Sequence, residues 1–127
     1  MSRQLEVLIV EDDEPTLALL AAIVTRNRLA PVEAADGHKC MVLLAERPFA
    51  AMLLDLLLPG VQGVEILAHL GRTSPEMLSR VVIITAAGEG VWKSCREVQS
   101  VRALIRKPFD LRDVERALLA CCASAHA

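Results

Sequence analysis

Five short apolar runs, each followed by a stretch with helical spacing, constrain this chain more than any other feature. Leu5–Val10, Pro31–Ala35, Phe49–Leu54, Val81–Thr85 and Val101–Arg106 read as strands, the second being the weakest. Asp13–Arg28 reads as a helix, because Leu17, Leu19, Leu20, Ile23 and Val24 fall on one broad arc, with Ala18, Ala22 and Thr25 opposite. Asp36-Gly37 is a turn signal, and Met41, Leu44 and Ala45 mark a second helix that stops at Arg47, before Pro48. Pro59-Gly60 turns the chain into a third helix through Val64, Leu67 and Leu70, followed by a loop over Gly71–Met77. Gly88 and Gly90 bracket another loop, which leads into a short helix with Val91, Cys95 and Val98 on one face. Asp110 suits the N-cap of a final helix that turns Leu111, Val114, Leu118 and Cys121 inward.

Strands alternating with helices imply a parallel sheet joined by right-handed crossovers. The central runs lack polar alternation, as strands covered on both faces should. A closed eight-fold barrel needs about 250 residues, and the chain has 127. The expected fold is therefore α/β, an open doubly wound (βα)5 sheet. Residues 1–127 should form one domain, with a core over about 4–122 and a frayed tail over 123–127.

Four of the five runs end in polar residues on their C-terminal side: Glu11-Asp12-Asp13, Asp55, Thr85 and Lys107-Pro108. In a parallel sheet these ends share one edge, where open α/β sheets place their sites. Asp55 is the most informative residue, because it lies between Met52-Leu53-Leu54 and Leu56-Leu57-Leu58. A lone acid is a poor choice for such a setting unless it does chemistry. Asp13 is placed to cap the first helix, with Glu11 and Asp12 within reach of the strand end. Clustered carboxylates repel, and a hard divalent cation such as Mg²⁺ relieves that repulsion while keeping waters that a phosphate can replace. Lys107 can balance the remaining charge and pair with a phosphoryl oxygen.

Competing chemistries lack their residues. Gly88-Glu89-Gly90 is no phosphate loop, and no G-x-S-x-G elbow is present. Cys40, Cys95, Cys121 and Cys122 form no C-x-x-C pair and no zinc spacing with His38, His69 or His126, so they read as reduced thiols. A net charge of -2 supplies no field toward nucleic acid or an anionic membrane. Aromatics make up 2% of the chain, too few for a base-stacking platform. The apolar runs are far shorter than a bilayer span, and Met1-Ser2-Arg3-Gln4 has no signal-peptide layout.

These residues match a known pattern. Val7-Leu-Ile-Val-Glu-Asp-Asp-Glu14, Ala34-Ala-Asp-Gly37, Leu54-Asp-Leu-Leu-Leu-Pro-Gly-Val-Gln-Gly63, Val82-Ile-Ile-Thr-Ala86 and Lys107-Pro-Phe109 occur in this order. Together they resemble the receiver domain of two-component response regulators over essentially the whole chain. The resemblance implies a chemotaxis-regulator-like, flavodoxin-like sheet of order 2-1-3-4-5. It implies that Asp55 is the phosphoacceptor, Thr85 the switch hydroxyl and Lys107 the cation on the phosphoryl group. Asp12 would ligate Mg²⁺ directly, Glu11 through water, and Asp55 and the Leu57 carbonyl would complete the set, with Mn²⁺ a substitute. It implies a cis Lys107-Pro108 bond and a cytoplasmic phosphoprotein rather than an enzyme with its own substrate. A sensor histidine kinase or histidine phosphotransfer protein would be the donor. A downstream protein or an output domain would receive the signal, and the chain would be a monomer or a phosphorylation-dependent dimer. A phosphorylation-independent interaction module on the same fold is the alternative.

Leu104 stands where the family often has Tyr or Phe, and Leu57 and Ala87 follow Asp55 and Thr85 by two residues. The small face Ala18, Ala22 and Thr25 is the expected dock for the phosphodonor. Trp92 lies off the Val91-Cys95-Val98 stripe, either exposed on an output surface or closing the core from the helix edge.

Overall fold

The computed structural model describes residues 4–126. Five strands form one sheet: β1 (Glu6–Val10), β2 (Ala30–Ala34), β3 (Ala51–Leu54), β4 (Val81–Thr85) and β5 (Ala103–Arg106). Their order is β2-β1-β3-β4-β5, and every neighbouring pair is parallel. This is the doubly wound, flavodoxin-like arrangement expected from the alternation of strand and helix. The helices are α1 (Glu14–Arg26), α2 (Gly37–Glu46), α3 (Gly63–Thr73), α4 (Glu89–Trp92) and α5 (Leu111–His126).

The continuous apolar runs conceal a period of two that the two faces resolve. Leu8, Val10, Met52, Leu54, Val81 and Ile83 enter the layer beneath α2 and α3, with Ile66, Leu67 and Leu70. Val7, Ile9, Ala51, Leu53, Val82 and Ile84 enter the layer beneath α1 and α5, with Leu20, Ile23, Val24, Val114 and Leu118. Burial of each large side chain contributes about 1.5–3 kcal/mol, so the three central strands anchor the domain. β2 reads weakly because it is an edge strand, and that is also why Pro31 is tolerated in it.

Caps fix the helix starts. Asp13 accepts from the Thr16 N–H, Asp36 accepts from the Lys39 N–H, and Gln62 with Glu65 forms a capping box on α3. At the far end of α1, Arg26 and Asn27 both donate to Glu115 at 2.8 Å and tie α1 to α5.

Several local expectations are corrected. Leu19 is 42% exposed, since α1 is covered by the sheet on a narrower arc than its leucines occupy. α2 begins at Gly37 and buries Cys40 and Leu43, while Ala45 is exposed. The span 71–77 is no open loop: α3 continues to Thr73 and a 3-10 segment covers Pro75–Arg80, burying Met77 and Leu78. The helix expected through Val91, Cys95 and Val98 is the single turn α4 followed by a 3-10 segment, Arg96–Ser100, and Val91 is exposed. Leu111 lies at the exposed edge of α5. Met1–Arg3 and Ala127 lie outside the described residues, so the expectation that the N-terminus lacks a signal layout falls partly there.

All four cysteines are free. Burial pushes the Cys40 thiol up to about 12 and the Cys121 thiol up to about 11. Cys122 is also buried, whereas Cys95 is partly exposed. Iodoacetamide applied to the native protein at mildly alkaline pH should therefore label Cys95 first. The other three should react only after denaturation, as read by peptide mass; early labelling of Cys40 would contradict this packing.

Candidate functional site

The parallel sheet brings its C-terminal strand ends to one edge, and backbone bonds hold the polar residues there in register. The ladder runs one residue past each strand. The Glu11 N–H donates to the Ala34 carbonyl, the Asp55 N–H to the Val10 carbonyl and the Lys107 N–H to the Thr85 carbonyl, each at 3.0 Å. Glu11, Asp55 and Lys107 are thus fixed by main chain before their side chains meet.

Their side chains do meet. Lys107 Nζ donates to Glu11 Oε1 at 2.7 Å and to Asp55 Oδ2 at 2.9 Å. The Thr85 hydroxyl donates to Asp55 Oδ1 at 2.7 Å, and the Leu57 N–H donates to the same oxygen at 3.0 Å. The Asp13 N–H donates to Glu11 Oε2 at 3.2 Å, and the Ala87 N–H donates to the Thr85 hydroxyl oxygen at 3.1 Å. Glu11, Asp55 and Thr85 are the buried polar residues of the core, at 1%, 5% and 0% exposure. Asp12 points to the solvent side, yet oxygens from Glu11, Asp12 and Asp55 all lie within 4.8 Å of one another.

The charges follow from this packing. Burial raises the Glu11 carboxyl pKa above its ordinary value, against the Lys107 bond that lowers it. Burial pushes the Lys107 ammonium down, but its bonds to Glu11 and Asp55 outweigh that and leave it raised. The ammonium therefore stays charged and offsets two buried acids.

The loop after Asp55 is shaped for close approach. A Cβ on Gly63 would stand 2.5 Å from the Leu56 Cα and 2.8 Å from the Asp55 carbonyl oxygen, so only hydrogen fits where α3 abuts the site. The Leu56 carbonyl accepts from the Gly63 N–H, and the Leu58 carbonyl from the Gln62 amide. Among the described residues no donor reaches the Leu57 carbonyl between them. Leu57 itself is 45% exposed at the mouth of the site. The arrangement offers a carboxylate nucleophile, a fixed ammonium, a hydroxyl and three acids close enough to share a hard cation.

The structure brings Glu11, Asp12, Asp55, Thr85 and Lys107 together at the C-terminal rim, with the Leu57 N–H on Asp55, and the Lys107-Pro108 bond is cis. The Thr85 hydroxyl bonds Asp55 directly. The main-chain donors of Asp13, Leu57 and Ala87 were missed, because a backbone N–H leaves no signature in residue type.

Comparison with known proteins agrees. The model of the response regulator receiver domain matches residues 7–119, and the chain belongs to that family. It is 33% identical over 115 residues to the phosphate regulon transcriptional regulatory protein PhoB of Escherichia coli, covering 85% of this chain and 47% of that protein. It is 29% identical over 109 residues to the transcriptional regulatory protein SrrA of Staphylococcus aureus, covering 86% and 44%. The chain thus spans about half the length of these curated relatives. Among solved structures it is similar to the receiver domain of an HD domain-containing protein from Pseudomonas fluorescens, at TM-score 0.84, 22% identity and 98% of each chain. It is also similar to the receiver domain of sensor histidine kinase PA1611 from Pseudomonas aeruginosa, which holds magnesium in its active-site cleft, at TM-score 0.81, 21% identity and 95% and 99% coverage.

Replacing Lys107 tests the electrostatics. Lys107→Met should destabilise the fold by about 2–4 kcal/mol at neutral pH, because it leaves two buried acids without a counter-ion. A raised acid pKa means that the folded state favours the protonated carboxyl, so protonation restores stability. The deficit against wild type should shrink as pH falls through the raised Glu11 range, measured by urea unfolding. A deficit that is independent of pH would refute this account.

Proposed function

We propose that this receiver accepts a phosphoryl group on Asp55 from a phosphohistidine on a sensor histidine kinase or a histidine phosphotransfer protein. The observation that carries this reading is the convergence on Asp55 of the Lys107 ammonium, the Thr85 hydroxyl and the Leu57 N–H, beside the acids Glu11 and Asp12. Glu11, Asp12, Asp55 and the Leu57 carbonyl would hold Mg²⁺, or Mn²⁺ in its place, and the bound ion supplies positive charge opposite the phosphoryl oxygens.

An Asp55 carboxylate oxygen attacks phosphorus, the new O–P bond forms, and the N–P bond to the donor imidazole breaks. Lys107 holds the carboxylate in place and stabilises charge on the transferring group. Thr85 turns its hydroxyl proton toward a phosphoryl oxygen. Water later attacks phosphorus, releasing inorganic phosphate and restoring Asp55. The protein is a phosphoacceptor that assists its own turnover, and it acts in the cytoplasm on a downstream protein or an output domain. Output through a phosphorylation-independent contact is the second reading, but it gives no reason to bury Glu11 and Asp55 beside one ammonium.

Acetyl phosphate with Mg²⁺ should add the mass of one phosphoryl group to the intact chain, mapped to Asp55 and absent from Asp55→Asn. No adduct in wild type would remove the phosphoacceptor reading. Catalytic consumption of acetyl phosphate with no accumulating adduct would instead indicate a hydrolase.

The donor's dock is the exposed face of α1, where Ala18, Ala22 and Thr25 lie next to Leu19. Ala22→Arg should slow transfer from the kinase at least tenfold, equivalent to about 1.4 kcal/mol. Its phosphorylation by acetyl phosphate should match wild type. Equal slowing with both donors would exclude this face.

A further inference from the structure

At the end of the sheet opposite Asp55 a cavity of about 280 Å³ lies between the last turn of α2, the lead-in to β3, the end of α3 and the 3-10 segment Pro75–Arg80. That volume falls near the lower end of ligand pockets, which span about 300–1,000 Å³. Leu44, Pro48, Phe49, Leu70 and Met77 supply apolar wall. Arg47, His69, Glu76 and Arg80 supply ionisable groups. A mostly apolar lining with a few polar groups is the common composition of a small-molecule site.

The two guanidinium groups differ in how they are satisfied. Arg47 donates to Glu6 at 2.8 Å, lies 3.5 Å from Glu46 and sits 5.5 Å over the Phe49 ring. Its charge is matched. Arg80 has no such match, since among the described residues no carboxylate pairs with it. Its Nη2 donates to Met77 Sδ at 3.3 Å, a neutral and weak acceptor. Its Nε–H is buried and meets no acceptor among the described residues. A guanidinium shielded in this way is normally paired, because burying a charged donor without an acceptor is costly. Glu76 lines the same cavity, yet its side chain is exposed and joins no ion pair among the described residues. The cavity thus sets one unmatched positive charge against an apolar wall.

We propose that this cavity binds a compact monocarboxylate with an apolar body, the carboxylate on Arg80 and the body against Phe49, Leu70 and Met77. The planar fork of a guanidinium matches a planar carboxylate in geometry. One unmatched cation suits one negative charge, whereas a phosphate dianion calls for more. The apolar wall gains from covering hydrocarbon, which an inorganic anion does not offer. The site is separate from Asp55, at the other end of β3 and β4, and it stands whether or not Asp55 accepts phosphorus.

The test uses the full chain labelled with ¹⁵N, and sodium benzoate as the probe. The Arg80 Nε–H signal is assigned by its loss in Arg80→Met. Benzoate should shift that signal and the backbone amides of Phe49, Leu70 and Met77 along one saturating curve. The amides of Asp55 and Lys107 should stay in place. Benzamide has the same shape without the charge and should bind at least about tenfold more weakly, the worth of one charge-assisted hydrogen bond. Arg80→Met should weaken benzoate by a similar factor. Glu76→Gln, at an exposed position, should tighten it by removing a competing acid. Inorganic phosphate at equal ionic strength should produce no saturating shift. Benzamide or phosphate binding as well as benzoate overturns the proposal. So does a benzoate response that stays linear, survives Arg80→Met or centres on Asp55 and Lys107. If Arg80→Met fails to fold, the comparison of benzoate with benzamide on the wild-type chain decides.

Discussion

The structure depends on one ammonium shared between two buried carboxylates. Glu11 and Asp55 follow neighbouring parallel strands, so their backbones are held side by side whatever their charges require. Burying two like charges at that spacing is unfavourable, and water is largely excluded from both. Lys107 resolves the conflict by bonding one oxygen of each acid. It comes from beyond β5, two strands away from β3, and reaches the acids across the end of β4.

Asp55 is consequently a node of the hydrogen-bond network. Lys107 holds one oxygen, while Thr85 and the Leu57 amide hold the other. Any group added to this carboxylate must renegotiate bonds that reach β5, β4 and the loop before α3. The stiff connections lie toward the sheet, where the main-chain ladder continues past the strand ends. Toward α4 the packing is sparser: the helix has one turn, and open space surrounds Gly88 and Gly90.

The central strands and the polar residues at their ends were legible because each signal is local: an apolar run of fixed length, interrupted by one charge. Asp55 stood out for that reason. Leu19 misled because leucine spacing reports an arc, whereas the width of the covered arc depends on what packs against α1. The 3-10 segment Pro75–Arg80 was hidden by Ser74-Pro75, which reads as a breaker but here starts a turn that buries Met77 and Leu78. The Val91, Cys95 and Val98 spacing suggested one helix, and the chain instead breaks at Cys95, the N-cap of the second 3-10 segment.

By itself the sequence determined the alternation of elements, hence a parallel sheet, and the residue types at its C-terminal rim. Those follow from periodicity and from the cost of placing acids in apolar runs, both properties of the chain read in order. Tertiary structure alone decided that Thr85 bonds Asp55, that main-chain donors from Asp13, Leu57 and Ala87 complete the site, and that the Trp92 N–H is buried with no partner among the described residues. Hydrogen bonds depend on distances of a few tenths of an ångström between residues far apart in sequence, and only the packed layers set those distances.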